Sequence, residues 1–77
     1  MTSGYILIQT QVGKAHDVAN EVARLKGVLS SEGVTGPYDV VVHAEARSLD
    51  ELSKLVVLRI QEVEGVTRTL TCPVVHL

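Results

Sequence analysis

The sequence predicts an α+β domain: an antiparallel sheet with two helices on one of its faces. Three observations carry that prediction. Apolar residues recur at strand spacing in four segments and at helical spacing in two; the segments follow one another as β-α-β-β-α-β; and glycine, proline or serine punctuates their joints. The most economical solution for that order is the ferredoxin-like split βαβ arrangement. Its right-handed crossovers put the first and third strands at the centre and the fourth at an edge.

Each element has its own warrant. Tyr5-Ile6-Leu7-Ile8 is β-branched and aromatic and opens a strand reaching about Thr10. Ala15, Val18, Ala19, Val22 and Leu25 then recur at the period of an amphipathic helix, which Gly27 stops. A second strand runs from about Val28 to Thr35, diluted by Ser30, Ser31, Glu32 and Gly33. Gly36-Pro37 makes a turn, because proline presets φ at a turn corner. Valine-rich Asp39 to Ala46 is the third strand. Ser48-Leu49-Asp50-Glu51 reads as a capping box, in which the serine bonds the amide of Glu51 while Glu51 reaches back. Leu49, Leu52, Val56, Ile60 and Val63 form the core stripe of a second helix that Gly65 ends. Leu55, Val57 and Leu58 lie off that stripe, so the helix is apolar around much of its girth and is expected to touch a neighbouring subunit. The last strand spans about Val66 to His76. Pro73 within it cannot donate to a ladder, which fits the edge position.

Strand alternation assigns faces. Ile6, Ile8, Val40, Val42, Ala44, Leu70, Cys72 and Val74 are expected beneath the helices. Tyr5, Leu7, Gln9, Val41, His43, Thr69, Thr71 and Val75 are expected on the other face. That face is too apolar for one left to water and suggests a dimer formed sheet to sheet.

Size points the same way. A chain of 77 residues is one domain, spanning 1–77, and one this short buries only roughly 60–65% of the surface its unfolded form exposes. Such folds usually add a staple. Cys72 is the only cysteine, so no intrachain disulfide forms, and His16, His43 and His76 lack metal-ligand spacing. With 45% hydrophobic residues and a mean hydropathy of +0.24, homo-oligomerisation is the remaining staple. The net charge of −2, with dispersed Lys and Arg, gives no basic stripe for phosphates, so direct DNA or RNA binding is not expected. There is no secretory signal pattern and no apolar run of about 18 residues. A cytoplasmic location away from membranes is expected.

Val34-Thr35-Gly36-Pro37-Tyr38-Asp39 is the leading candidate site. Asp39 could pair with a ligand ammonium while free turn amides receive its carboxylate, or it could cap its own hairpin; both readings stand at this point. Thr67, Thr69 and Thr71 alternate along the last strand, either lining a polar pocket or simply serving as good strand residues. His43 has no nucleophile, carboxylate or orienting partner at a working spacing, so it reads as a packed imidazole. Cys72 reads as an inert small hydrophobe, and His16 with Asp17 as a solvated surface pair. Phosphate-cradling and dinucleotide glycine patterns are absent, and no cofactor is expected.

The run Val34 to Val42, then Leu49 to Ile60, then Gly65-Val66-Thr67-Arg68-Thr69-Leu70-Thr71, resembles the effector domain of the leucine-responsive/asparagine (Lrp/AsnC) transcriptional regulators, also called the RAM domain. The similarity extends from Gly4 to Val75. It implies a dimeric α/β barrel of two facing sheets, with dimers associating into rings, and a small amino-acid effector bound between dimers against the Gly-x-Tyr-Asp turn. Carried over, Gly36, Tyr38 and Asp39 would contact the ligand, with Thr35, Thr69 and Thr71 as further ligand-binding candidates from the same or an adjacent subunit. Full regulators carry an N-terminal DNA-binding domain, whereas this sequence starts at the effector domain. The expectation is a stand-alone, non-enzymatic module, with full-length Lrp/AsnC-type regulators as possible partners. The alternative is a small dimeric α/β-barrel enzyme of the cofactor-free monooxygenase or isomerase type, with His43 on the enclosed face. A third reading is an amino-acid-sensing module of the ACT type.

Overall fold

The structure, a computed structural model, describes residues 1–76; Leu77 alone lies outside them. Strand β1 spans Thr2–Thr10, helix α1 Ala15–Ala23, β2 Val28–Gly33, β3 Val40–Ala46, α2 Leu49–Leu55 and β4 Val66–Pro73. A wider π-type turn at Val56–Ile60 continues α2. The strands form one sheet in the order β2-β3-β1-β4, every neighbouring pair antiparallel. The first and third strands are central and the fourth is an edge, as the β-α-β-β-α-β order predicts.

The core lies between the helices and one face of the sheet. Ile6, Ile8, Val40, Val42 and Ala44 meet Val18, Ala19 and Val22 of α1 and Leu52, Val56 and Ile60 of the second helical segment. β1 starts earlier than its apolar run suggests, because Thr2, Ser3 and Gly4 pair with Ala46, Glu45 and Ala44. Gly4 permits this. A Cβ there would sit 3.0 Å from Leu52 Cδ2 and 3.1 Å from the carbonyl oxygen of Cys72, so α2 and β4 both press against its bare backbone.

The second helix departs from a simple stripe. Ser48 caps it, its Oγ accepting the Glu51 N–H at 3.1 Å; the return bond from Glu51 is not formed among the described residues. Leu49 is 52% exposed and contributes little to the core. Leu52, Val56 and Ile60 are the buried members, spaced four apart. At 3.6 residues per turn, each such step overshoots by about 40°. The wider turn, closed by the Gln61 N–H on the Val56 carbonyl five residues back at 2.9 Å, takes up that drift and keeps Ile60 on the sheet. Val57 and Leu58 remain exposed.

β4 corrects the expected faces. Gln9 pairs with Arg68, but its neighbour Thr10 pairs with Val66, so Thr67 is an extra, bulged residue. Val66 packs against the core. Counting alternation from it would place Arg68, Leu70 and Cys72 beneath the helices. The bulge resets the parity: Leu70 faces out with Leu7, and Cys72 with Tyr5, while Thr69 and Thr71 share the helix side with Ile8 and Ile6. Val74 follows Leu70 and Cys72, its N–H on the Ser3 carbonyl oxygen at 2.9 Å. Threonine is tolerated on that side because the helices pack on β1, β2 and β3 and barely reach β4. The strand stops at Pro73 rather than His76.

The open face is therefore more apolar than the sequence implied. It carries Tyr5, Leu7, Val41, His43, Leu70 and Cys72 on β3, β1 and β4, with Ser30 and Glu32 of β2 at its polar edge. Tyr5 and His43, directly opposite each other, stack with ring centroids 4.6 Å apart and planes 10° from parallel. Cys72 is exposed, not a core residue.

Candidate functional site

The site is built at one end of the sheet, where β1 finishes and β3 and β4 begin. Strand β2 ends at Gly33 and β3 starts at Val40, so the connection is a six-residue loop rather than a tight Gly-Pro hairpin. The Val34 N–H donates to the Asp39 carbonyl at 2.9 Å and closes the loop, and the Asp39 N–H donates to the Ile8 carbonyl at 2.9 Å and ties it to β1. Gly36 has φ +128°, a conformation that side-chain-bearing residues avoid, and nothing lies within 4 Å of where its Cβ would be. The tip is shaped by backbone freedom, not by packing.

Asp39 is half-buried and does not cap its own turn. Its Oδ2 accepts the Thr10 N–H at 2.8 Å and lies 3.3 Å from the Thr10 hydroxyl. Asp39 Oδ1 makes no hydrogen bond among the described residues. The same holds for the N–H groups of Thr35, Gly36 and Tyr38. Gln9 completes the corner: its side-chain amide donates to the Pro37 carbonyl at 3.0 Å, while its own carbonyl accepts the Thr67 hydroxyl at 3.1 Å. A carboxylate oxygen and several donor amides thus stand without a protein partner at an exposed edge, a pairing suited to the two ends of a zwitterion.

Of the residues singled out from the sequence, Thr35, Gly36, Tyr38 and Asp39 come together in this loop. Thr69 and Thr71 do not join them within one subunit. Ile8 stands between Val40 and Thr69 in the sheet, so Thr69 is two strand spacings, about 10 Å, from the start of β3. Thr71 lies a further two residues along. Thr69 instead accepts the Gln61 side-chain amide at 2.9 Å and lines, with Gln61, Val66, Thr67 and Arg68, a groove of about 410 Å³ between the end of the second helix and β4. The sequence reading missed Gln9, Thr10, Gln61 and Arg68. Their roles depend on hydrogen bonds and pairings between distant segments, although the polar Gln9-Thr10 end of an apolar strand was a visible cue.

A larger cleft, about 560 Å³, lies between α1 and the end of the second helix and is lined by charges of both signs, Lys14, Arg24 and Arg59 with Asp17, Glu21 and Glu62. The larger cleft is bounded by the helices and lies away from the open face of the sheet. His16 pairs with Asn20 at 3.2 Å, not with Asp17. Among the described residues no group of three or more His, Cys, Asp or Glu side chains is placed to hold a metal ion, and no helix is long and apolar enough to cross a membrane.

The topology defines a ferredoxin-like α+β module with an apolar open face and a polar loop at the sheet end. The chain belongs to the Lrp/AsnC ligand binding domain family, whose model matches residues 3–76. An uncharacterized HTH-type transcriptional regulator of Pyrococcus furiosus is 27% identical over 73 residues, which make up 91% of this chain and 49% of that protein. The chain spans about half the length of the curated relatives it matches. A protein of Thermus thermophilus, solved by crystallography, superposes with a TM-score of 0.93 at 30% identity, covering 100% of this chain and 96% of that one. A transcriptional regulator of Neisseria meningitidis, solved as a complex with L-Met, shares the fold, with a TM-score of 0.85 at 21% identity over 97% of this chain and 50% of its own.

Proposed function

We propose that this protein is a non-enzymatic effector module that binds a small amino acid at the Thr35–Asp39 loop and couples that binding to its assembly. The observation that carries the proposal is Asp39: one carboxylate oxygen fixes the loop to Thr10, and the other stands free beside unbonded loop amides. The free oxygen would take the ligand's ammonium, and the N–H groups of Gly36 and Tyr38 its carboxylate. The loop is exposed, so one subunit alone leaves much of such a ligand in water. A neighbouring copy presenting Thr69 and Thr71 would complete the enclosure. The apolar open face supports a sheet-to-sheet dimer as the unit of assembly, and the exposed Val57 and Leu58 support further association of dimers. The L-Met complex of the Neisseria relative favours an amino acid as the ligand class.

On this reading the module works in the cytoplasm through its own oligomers or by joining full-length Lrp/AsnC-type regulators, and it contacts no nucleic acid itself. The barrel-enzyme alternative is weaker: His43 stacks on Tyr5 and has no acid, base or orienting partner among the described residues. Titration calorimetry across the twenty amino acids, with sedimentation in parallel, tests the proposal. At least one amino acid is expected to bind and shift the oligomer distribution. No heat from any of them, together with an Asp39→Ala oligomer profile matching the parent, would refute it.

A further inference from the structure

The bulge at Thr67 has an effect beyond β4 packing. By resetting the strand's parity it sets Arg68 opposite Gln9, its direct partner in the β1–β4 ladder, at the sheet edge where Arg68 also borders the groove beside Gln61. Gln9 lies in the central strand, and its side chain is drawn aside to the Pro37 carbonyl of the loop. The sheet end thus presents a row across three strands: the loop carboxylate of Asp39, neutral Gln9, and the Arg68 guanidinium. Asp39 and Arg68 form no ion pair with each other. The one ion pair among the described residues is Lys54–Asp50, on α2. Arg68 is exposed and has no carboxylate partner among the described residues, and Asp39 keeps Oδ1 free. Two strand spacings, about 10 Å, separate the outer strands, and the reach of an arginine side chain shortens that gap to roughly the length of one small ligand.

We propose that Arg68 binds the side-chain carboxylate of the effector, which makes an acidic amino acid, L-glutamate or L-aspartate, the preferred ligand of the Asp39 loop. The inference rests on the amino-acid-binding reading of that loop and adds the chemical class. The ligand's ammonium meets Asp39 Oδ1, its α-carboxylate meets the free loop amides, and its side chain extends over Gln9 to Arg68. Guanidinium and carboxylate match in geometry, two parallel N–H donors against two oxygens, so arginine discriminates a carboxylate from a methyl or a thioether at the same place. A neutral amino acid keeps the first two contacts and gains nothing from the third. The bulge serves this arrangement directly, since without the extra residue position 68 would face the helix side.

The test is calorimetry of the full chain with L-glutamate, L-aspartate and L-alanine, on the parent protein and on Arg68→Gln and Arg68→Lys. Arg68 is exposed and outside the core, so both variants are expected to melt like the parent. The parent should bind an acidic amino acid about tenfold to a hundredfold more tightly than alanine, the range of one charge-assisted pair. Arg68→Gln should lose that margin and leave alanine binding unchanged; Arg68→Lys should keep part of it. If alanine binds and acidic amino acids bind no better, or if Arg68→Gln leaves the margin intact, this inference fails and the loop reading survives. Binding by none of the three overturns the acidic class and counts against the loop reading as well.

Discussion

The carboxylate of Asp39 accepts the backbone N–H of Thr10 at 2.8 Å, joining the last loop residue before β3 to the last residue of β1 across 29 positions of chain. A loop that carries function is usually the least constrained part of a fold. This one is anchored at its base and free at its tip. The anchor uses one carboxylate oxygen and leaves the second without a protein partner, so on the proposed reading a single residue both holds the loop and offers its charge. Stability and binding at Asp39 can therefore be separated by the choice of substitution.

Asp39→Ala leaves the part-buried Thr10 N–H without its acceptor, which costs about 1–3 kcal/mol. For a domain of this size each kcal/mol lowers Tm by about 4–8 °C. Asp39→Asn retains an acceptor oxygen and should lose less than half as much, yet it removes the negative charge. Thermal melts paired with amino-acid titrations should show Asn near the parent in Tm and Ala well below it, with both deficient in binding.

Gly4 and Gly33 make a contrasting pair. At Gly4 a Cβ would stand 3.1 Å and 3.2 Å from backbone atoms of Cys72 and Pro73, which cannot move without shifting β4. Gly4→Ala should destabilise by about 1–3 kcal/mol through overpacking. At Gly33 the nearest atom is 3.9 Å away and φ is not positive, so Gly33→Ala should lie within about 0.5 kcal/mol of the parent. Urea unfolding of the two variants checks this.

The wider turn at Val56–Ile60 places Ile60 wholly in the core and leaves Leu49 at the rim. Ile60→Ala should cost about 2–5 kcal/mol, whereas Leu49→Ala should cost less than about 1 kcal/mol. Equal losses in chemical denaturation would mean that the second helix packs as one regular stripe.

Leu70, 46% exposed, faces out beside Leu7 on the uncovered side of the sheet. Leu70→Asp should leave far-UV circular dichroism unchanged and shift the sedimenting species toward monomer, because in the proposed sheet-to-sheet dimer a charge there is desolvated without a partner. Were Leu70 a core residue, the same change would unfold the domain instead.

Much of this protein is readable locally. The four strands, the two helices and the Ser48 cap follow from spacing and from residue chemistry that acts within a few positions, although the helices end at Ala23 and Ile60, short of the expected stops at Gly27 and Gly65. Gly36 marked the loop, and the order of elements was enough to name the topology. What only the tertiary structure decided was which way side chains point once strands pair. Leu70, Cys72 and Val74 look like a core set because they alternate and are apolar. The bulged Thr67 turned them outward, and no local pattern announces a bulge whose cause is the pairing of Gln9 with Arg68 and Thr10 with Val66. The candidate site divides along the same line. Thr35, Gly36, Tyr38 and Asp39 are contiguous and were visible in sequence; Thr10, Gln9 and Arg68 come to them through the ladder. A strand of period two has no memory of its face beyond the last irregularity, so its parity is a property of the sheet rather than of the segment.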